Sequence, residues 1–254
     1  MKKIIFFFGW WIAVVITTAA QNKITVAVAA NMQPTMQALI NEFNKTNKTE
    51  IDVAVGASGK LAQQIMQGAP FDIFVSADTS YAQRLLENNF AVEPPKVYAQ
   101  GLLVLWSVKQ NIQPQPDLQL LLNKSIRHIA IANARIAPYG TAAEFILKKY
   151  NLYDKVAPKL VTGENITQTS QFIATQAADI GFTAKSIVVS FEEKNKGRNQ
   201  EMLCGGMAGQ ARHQGNQRLL SVLRPRHQPR EIVGAVRDIG IGKPQKCRVE
   251  TGGP

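Results

Sequence analysis

The sequence has little cysteine, and both cysteines, Cys204 and Cys247, lie after residue 200. The long stretch before them has none, so it is not a disulfide-stapled scaffold and depends on a hydrophobic core. With 254 residues, 45% of them hydrophobic, the chain can bury such a core in one large domain or in two smaller lobes.

Aromatic residues are missing from the end of the chain. Residues 195–254 contain no Phe, Tyr or Trp, yet they hold 8 of the 11 arginines and 10 of the 18 glycines. Because aromatic side chains dominate core burial, this basic tail has little with which to build a core. The tail is therefore either disordered or not the sequence on which the fold was built.

The body of the chain, residues 21–194, also lacks a strong charge of either sign, although the net charge of the whole chain is +11. Residues 195–254 contribute 11 basic and 4 acidic side chains, whereas residues 21–194 carry 16 basic and 14 acidic ones. A body so close to neutral gives no indication of a nucleic-acid partner.

The N-terminus carries the only long apolar run. Lys2 and Lys3 precede residues 4–16, which are apolar, and Thr18-Ala19-Ala20 offers small residues for cleavage. This pattern predicts that residues 1–20 are a removed secretory signal, which places the protein in the periplasm. A membrane anchor is the alternative, but the run is shorter than the roughly 20 residues of a spanning helix.

Strand-like and helix-like stretches alternate from Lys23 onward, which predicts an α/β fold with helices on a mostly parallel sheet. The predicted strands are 24–29, 51–55, 72–76, 101–107, 128–132, a short one near Leu160, and 180–183. The predicted helices are 32–44, 61–67, 79–88, 141–150 and 167–176. Pro94-Pro95 interrupts the alternation, which indicates one lobe over 21–99 and a second over 100–194.

Small-residue turns follow several of these strands. The stretch Val53-Ala54-Val55-Gly56-Ala57-Ser58-Gly59-Lys60-Leu61 is a strand, a tight turn and a helix start, whose free amides favour an anion. It is not a P-loop, because that motif needs an earlier Gly and a Ser or Thr where Leu61 stands. Similar turns occur at Asn31, at Tyr139 and near Ile166. Since the carboxyl ends of the strands meet at one edge, four such turns around a cleft predict a binding protein.

Each turn has a simpler interpretation when taken alone. Ser58 and Asn31 could cap their own helices, Tyr139 could be a core aromatic, and residues 163–167 could be an ordinary capped helix start. An enzyme would need a base near Ser58, and no motif supplies one. The three histidines show no metal-ligand spacing.

Five stretches resemble the periplasmic molybdate-binding proteins of ABC importers, over residues 23–190. They are Val28-Ala29-Ala30-Asn31, Gly56-Ala57-Ser58-Gly59, Gly68-Ala69-Pro70-Phe71-Asp72 with Val75-Ser76-Ala77-Asp78, Ile131-Ala132-Asn133 with Ala137-Pro138-Tyr139-Gly140, and Gly163-Glu164-Asn165-Ile166. The resemblance implies a two-lobed periplasmic-binding-protein fold of type II that closes on molybdate or tungstate. It implies a monomer that serves an ABC permease, without catalysis, cofactor or resident metal.

The resemblance also implies the ligand contacts: Ala30 and Asn31, Ser58, Tyr139, and Ile166 through its backbone amide. Neutral donors suit a fully deprotonated oxyanion, because a protonated one would place a hydrogen against another donor. Another branch of the family has a binding Tyr where Ala184 stands here, and Tyr139 is expected to compensate for it. The alternative ligand is another tetrahedral oxyanion such as sulfate.

The tail departs from the family pattern, in which the chain returns after the second lobe and completes the first. Residues 195–254 do not resemble that segment and form an atypical basic tail in its place. A frameshift near residue 198 is one hypothesis for this departure. A further alternative is thus a non-functional frameshifted product.

Overall fold

The structure, a computed structural model, describes residues 23–114, 117–194, 204–206 and 217–222. The predicted signal peptide, residues 1–20, lies outside the described residues, as do Cys247 and most of the basic tail. Within the described ranges, no helix combines the length and the apolar character needed to cross a membrane.

Ten strands and seven α-helices make up these ranges. The strands are β1 (Lys23–Ala29), β2 (Glu50–Gly56), β3 (Ile73–Ser76), β4 (Lys96–Gln100), β5 (Leu103–Trp106), β6 (Ile129–Ala132), β7 (Leu160–Gly163), β8 (Ile180–Ala184), β9 (Cys204–Gly206) and β10 (Gln217–Val222). The helices are α1 (Gln33–Phe43), α2 (Ser58–Met66), α3 (Thr79–Glu87), α4 (Pro138–Lys149), α5 (Tyr153–Val156), α6 (Ile166–Ala174) and α7 (Lys185–Lys194). Short 3₁₀ helices lie at Ala30–Met32, Leu118–Leu122 and Ala157–Lys159.

The strands form two five-stranded sheets with equivalent orders, β2-β1-β3-β10-β4 and β7-β6-β8-β5-β9. In each sheet the first three strands are parallel, and the fourth is antiparallel to both of its neighbours. The chain passes from the first sheet to the second between β4 and β5, and it returns between β9 and β10. Each sheet therefore has its own set of carboxyl ends of parallel strands, the edge at which α/β proteins bind ligands.

Helices cover both faces of the first sheet. Met36 and Ile40 of α1 pack with Val26 of β1 on one face. Leu61 of α2 and Leu85 of α3 pack with Phe74 of β3 on the other face. Successive side chains of a strand lie on opposite faces of the sheet, so both layers are built from the same buried strands. This is the arrangement expected for a sheet between two layers of helices. The α/β prediction is confirmed.

Most predicted strands and helices lie within a few residues of observed ones. Among the observed elements, β4 and α7 were not predicted. α7 was missed because it follows β8 directly, without a turn residue to mark its start. Asn31 was expected to cap α1, but it lies inside a 3₁₀ helix, and the residue that precedes α1 is Met32.

The tail contributes a strand that its sequence did not predict. β10 lies between β3 and β4, with Leu220 opposite Val75 and Val222 opposite Ile73. A strand flanked on both sides is held by backbone hydrogen bonds, so the lack of aromatic residues does not prevent its formation. β10 thus adds a strand to the first sheet. That residues 195–254 are an atypical tail in place of the segment that would complete the first lobe stays a prediction. The lobe boundaries at residues 99 and 194 stay predictions.

Candidate functional site

Asn31 is the most unusual polar residue near the strand ends. It follows β1, in the 3₁₀ helix Ala30–Met32, and is 0% exposed. Neither its side-chain nitrogen nor its side-chain oxygen has a hydrogen-bond partner among the described residues. An unsatisfied buried polar group costs about 1–3 kcal/mol, and native structures rarely retain one without a reason. A ligand that bonds to this amide supplies that reason.

Ser58 lies at the corresponding place after β2, as the first residue of α2. It is buried, and its Oγ accepts a hydrogen bond of 3.0 Å from the backbone amide of Ala77. It does not cap its own helix, because α2 has no side-chain cap. The hydroxyl that accepts from Ala77 keeps its own proton, so it can donate to an acceptor at the helix start.

The second lobe contributes the equivalent positions after β6 and β7. Tyr139 is the second residue of α4 and is 2% exposed. Ile166 is the first residue of α6 and is buried, while Asn165 caps the helix by accepting from the amide of Gln168 at 3.0 Å. A capped helix start leaves other first-turn amides available to an anion.

The four turns lie where the two lobes meet. One apolar cluster contains Ala30 and Ala57 of the first lobe together with Tyr139 and Ile166 of the second. The amide of Gly59 donates to the carbonyl oxygen of Ile136 at 2.8 Å, which joins the start of α2 to the loop before α4. The structure therefore brings the predicted residues Ala30, Asn31, Ser58, Tyr139 and Ile166 to one interface between the lobes.

Further side-chain bonds cross this interface. Thr167 Oγ1 donates to the carbonyl of Ala30, and Ser186 Oγ donates to the carbonyl of Asn31, each at 3.1 Å. The hydroxyl of Tyr81 donates to the carbonyl of Arg135 at 3.4 Å. Sequence reasoning missed all three, because a contact between residues so far apart in the chain leaves no local pattern.

Two glycines allow the close packing of this region. A Cβ on Gly59 would lie 2.9 Å from the carbonyl oxygen of Ile136, and one on Gly140 would lie 2.2 Å from that of Ala132. Both distances are too short for a side chain, so these positions need glycine for close approach rather than for an unusual backbone angle. The close approach at Gly59 is one of several contacts between the two lobes.

The positive electrostatic potential at the candidate site comes from backbone amides at helix starts rather than from charged side chains. None of the five predicted site residues is Asp, Glu, Lys, Arg or His, and four helix starts, including that of the short 3₁₀ helix, lie around them. Lys60 Nζ lies 2.5 Å from Glu164 Oε1, so its charge is neutralised by an acidic side chain of the other lobe. Neutral donors at helix starts are the arrangement that binds a small, fully deprotonated anion.

One carboxylate lies close to this set. Asp78 follows Ala77 and caps α3 by accepting from the amide of Tyr81. Burial raises the pKa of the Asp78 carboxyl, while hydrogen bonds from Ser80, Tyr81 and Ser76 oppose the increase. Its part is to hold the loop after β3, whose Ala77 amide positions Ser58. Across the described ranges, no group of three or more His, Cys, Asp or Glu side chains has the arrangement of a metal site.

Comparison with known proteins agrees with this geometry. The family model described as "Bacterial extracellular solute-binding protein" matches residues 24–202. The chain belongs to this family of solute-binding proteins. One relative, the molybdate-binding protein ModA of Rhodobacter capsulatus, is 38% identical over 175 residues, which cover 68% of this chain and 69% of the relative. ModA of Azotobacter vinelandii is 37% identical over 167 residues, covering 65% and 66% of the two chains.

A solved structure extends the comparison of this solute-binding protein beyond the aligned sequence. The periplasmic molybdate-binding protein of Azotobacter vinelandii superposes with a TM-score of 0.74 at 26% identity, covering 87% of this chain and 93% of that one. The family resemblance seen in the sequence and the predicted two-lobed type II fold are confirmed.

Proposed function

We propose that this protein captures molybdate between its two lobes in the periplasm and delivers it to an ABC permease. The observation that carries the proposal is Asn31, a buried side-chain amide at the lobe interface without a hydrogen-bond partner among the described residues. The relatives named as molybdate-binding proteins support the choice of anion.

The proposed contacts follow from the chemistry of each group. The Asn31 side-chain nitrogen, the Ser58 hydroxyl and the Tyr139 hydroxyl donate to the oxygens of the anion. The turn at Ala30 and the backbone amide of Ile166 complete the set from the two lobes. All of these groups are neutral donors, and such donors hold a dianion that carries no proton of its own.

This donor set separates the candidate anions by their protonation. Phosphate carries a proton near neutral pH, and that proton would face a donor instead of an acceptor, so phosphate should bind poorly. Molybdate and tungstate are both fully deprotonated and similar in shape, so we propose that tungstate competes for the same site. Sulfate is also a dianion but a smaller one, and the fit of the closed lobes would exclude it.

The remaining parts of the proposal concern the protein outside the site. Residues 1–20 would direct export and be removed. We expect the product to act as a monomer with lobes at 21–99 and 100–194, and both lobes would present the surface that meets the permease.

Thermal unfolding of the purified protein tests the proposal with molybdate, tungstate, sulfate and phosphate added in turn. A ligand at 100 times its dissociation constant stabilises the native state by about 2.7 kcal/mol, so molybdate and tungstate should raise the melting temperature by several degrees. Sulfate and phosphate should leave it unchanged. Equal shifts with sulfate would favour the alternative of a less selective oxyanion-binding protein.

A matched pair of variants tests whether the shift in melting temperature comes from binding at the candidate site. Asn31→Asp keeps the shape of the side chain but adds a negative charge, so it should abolish the molybdate-dependent shift. Asn41→Asp makes the same change on the exposed face of α1, where the Asn41 side-chain oxygen accepts from Gln37, and should preserve the shift. A non-functional product would show no cooperative unfolding at all.

A further inference from the structure

Two hydroxyls of the second lobe bind the backbone of the first at the candidate site. Thr167 on α6 donates to the carbonyl of Ala30, and Ser186 on α7 donates to the carbonyl of Asn31. We propose that Thr167 and Ser186 are positioning residues, which fix the Ala30–Asn31 turn for the anion and delay its release. This inference rests on the proposed function.

Both hydroxyls lie in the first turn of a helix, because Thr167 is the second residue of α6 and Ser186 the second of α7. A Ser or Thr on a helix commonly bonds to the carbonyl four residues earlier. Thr169, Ser170 and Thr175 do so, binding the carbonyls of Asn165, Ile166 and Gln171. Thr167 and Ser186 instead reach carbonyls that lie 137 and 155 residues away in the chain. Their bonds serve the lobe interface rather than their own helices.

The acceptor carbonyls belong to the peptide units of the anion-binding turn. The carbonyl of Ala30 shares its peptide unit with the amide of Asn31, and the carbonyl of Asn31 shares its unit with the amide of Met32. A hydrogen bond to a carbonyl polarises the attached N–H and makes it a better donor. Thr167 and Ser186 therefore strengthen the amides at the start of the 3₁₀ helix.

The same bonds depend on closure of the lobes. The donors lie on α6 and α7, whereas the carbonyls lie in the turn after β1, so separating the lobes breaks both bonds. The turn is also held from its own side, because the amide of Gln33 donates to the carbonyl of Ala30. The two hydroxyls thus stabilise the closed state and leave the energy of the open state unchanged. Their main effect is therefore to slow the release of the anion.

Removing each hydroxyl tests the inference. Thr167→Val and Ser186→Ala should each speed the release of radiolabelled molybdate, chased with unlabelled molybdate, by about 3- to 10-fold, the range for one lost hydrogen bond. Thr167→Ser keeps the hydroxyl and should release molybdate close to the wild-type rate. Thr175→Val removes a hydroxyl bond at the C-terminal end of α6, to the carbonyl of Gln171, and serves as the matched control. The melting temperature without molybdate should be the same in all four variants.

The outcomes separate this inference from the proposed function. If the wild-type protein retains labelled molybdate but Thr167→Val and Ser186→Ala release it at the wild-type rate, the positioning role is wrong and the function stands. The role is also wrong if the two variants lower the melting temperature without ligand, since the hydroxyls would then be merely structural. A wild-type protein that retains no molybdate overturns both.

Discussion

Lys60 Nζ lies 2.5 Å from Glu164 Oε1, and the pair joins the turn at the start of α2 to the turn that precedes α6. Each side chain is about half exposed, at 51%, so the attraction is weakened by solvent. Both residues adjoin the candidate site, since Lys60 follows Ser58 by two positions and Glu164 precedes Ile166 by two. The pair is therefore placed to assist lobe closure without touching the anion.

Breaking this ion pair should weaken molybdate binding only slightly. Exposed pairs contribute about 0.2–1 kcal/mol, so Lys60→Met or Glu164→Gln should raise the dissociation constant by about 1.5- to 5-fold at low salt. The difference from wild type should shrink in high salt, because screening already removes the attraction. Titration calorimetry at two ionic strengths measures this. Lys148→Met, which breaks an ion pair within α4, is the control, and an equal effect there would contradict the interpretation.

Asp179 should make the stability of the second lobe depend on pH in the acidic range. Its carboxylate is buried and accepts from Lys109 Nζ and from the amides of Arg127 and His128. Burial alone would raise the pKa of Asp179, but these hydrogen bonds and the charge of Lys109 outweigh it and lower the pKa to about 2. A folded-state pKa below the unfolded value means stability that is present above pH 4 and lost as the pH falls towards 2.

The corresponding substitution is Asp179→Asn. At neutral pH it should cost about 2 kcal/mol, following 1.36 kcal/mol for each unit of pKa difference. The difference between wild type and variant should shrink as the pH falls from 4 to 2. Urea unfolding at several pH values measures this, with the exposed Asp154→Asn as control. A difference that stays constant with pH would contradict the assigned role of the charge.

Gly140 should tolerate no side chain. A Cβ there would lie 2.2 Å from the carbonyl oxygen of Ala132, and a backbone atom cannot move aside as a side chain can. Gly140→Ala should therefore lower the free energy of unfolding by about 1–3 kcal/mol or more and disturb the start of α4. Gly56→Ala is the control, because its Cβ would meet only the Leu61 side chain, at 3.3 Å. Similar costs at the two positions would show that the close contact is not the cause.

Ser58 should have two separable effects. Ser58→Ala removes a donor to the anion, and it also leaves the amide of Ala77 without its acceptor, which costs about 1–3 kcal/mol of stability. Ser58→Cys keeps a weak acceptor and donor of similar shape and should recover part of both losses. Unfolding without ligand and molybdate titration measure the two effects separately. Full retention of molybdate affinity in Ser58→Ala would remove Ser58 from the proposed contacts.

The sequence was sufficient to predict the α/β class, and it singled out the turns at which the site is proposed. Strand runs that end in small residues before a helix mark the carboxyl edge of a parallel sheet, and Ser58 and Ile166 were located in this way. It was not sufficient to separate capping from binding, because a buried and an exposed Asn look alike in a sequence. Asn31 was read as a helix cap or a ligand group, and only its burial without a described partner favours the second.

Contacts between the lobes could not be predicted, for a physical reason. The bonds of Thr167 and Ser186 join groups that are distant in the chain and meet only when the whole fold is assembled. β10 was missed for a related reason. Its place between β3 and β4 is set by the pairing of its backbone with two neighbours, and the lack of aromatic residues in the tail says little about that pairing.

The anomalous scattering of molybdenum in crystals grown with molybdate tests the central claim most directly. We expect one strong peak between the lobes, with oxygen atoms of the anion within hydrogen-bond distance of Asn31 Nδ2 and Ser58 Oγ. The peak should be absent when sulfate replaces molybdate. A molybdenum peak elsewhere on the protein, or none in crystals of the closed form, would contradict the account.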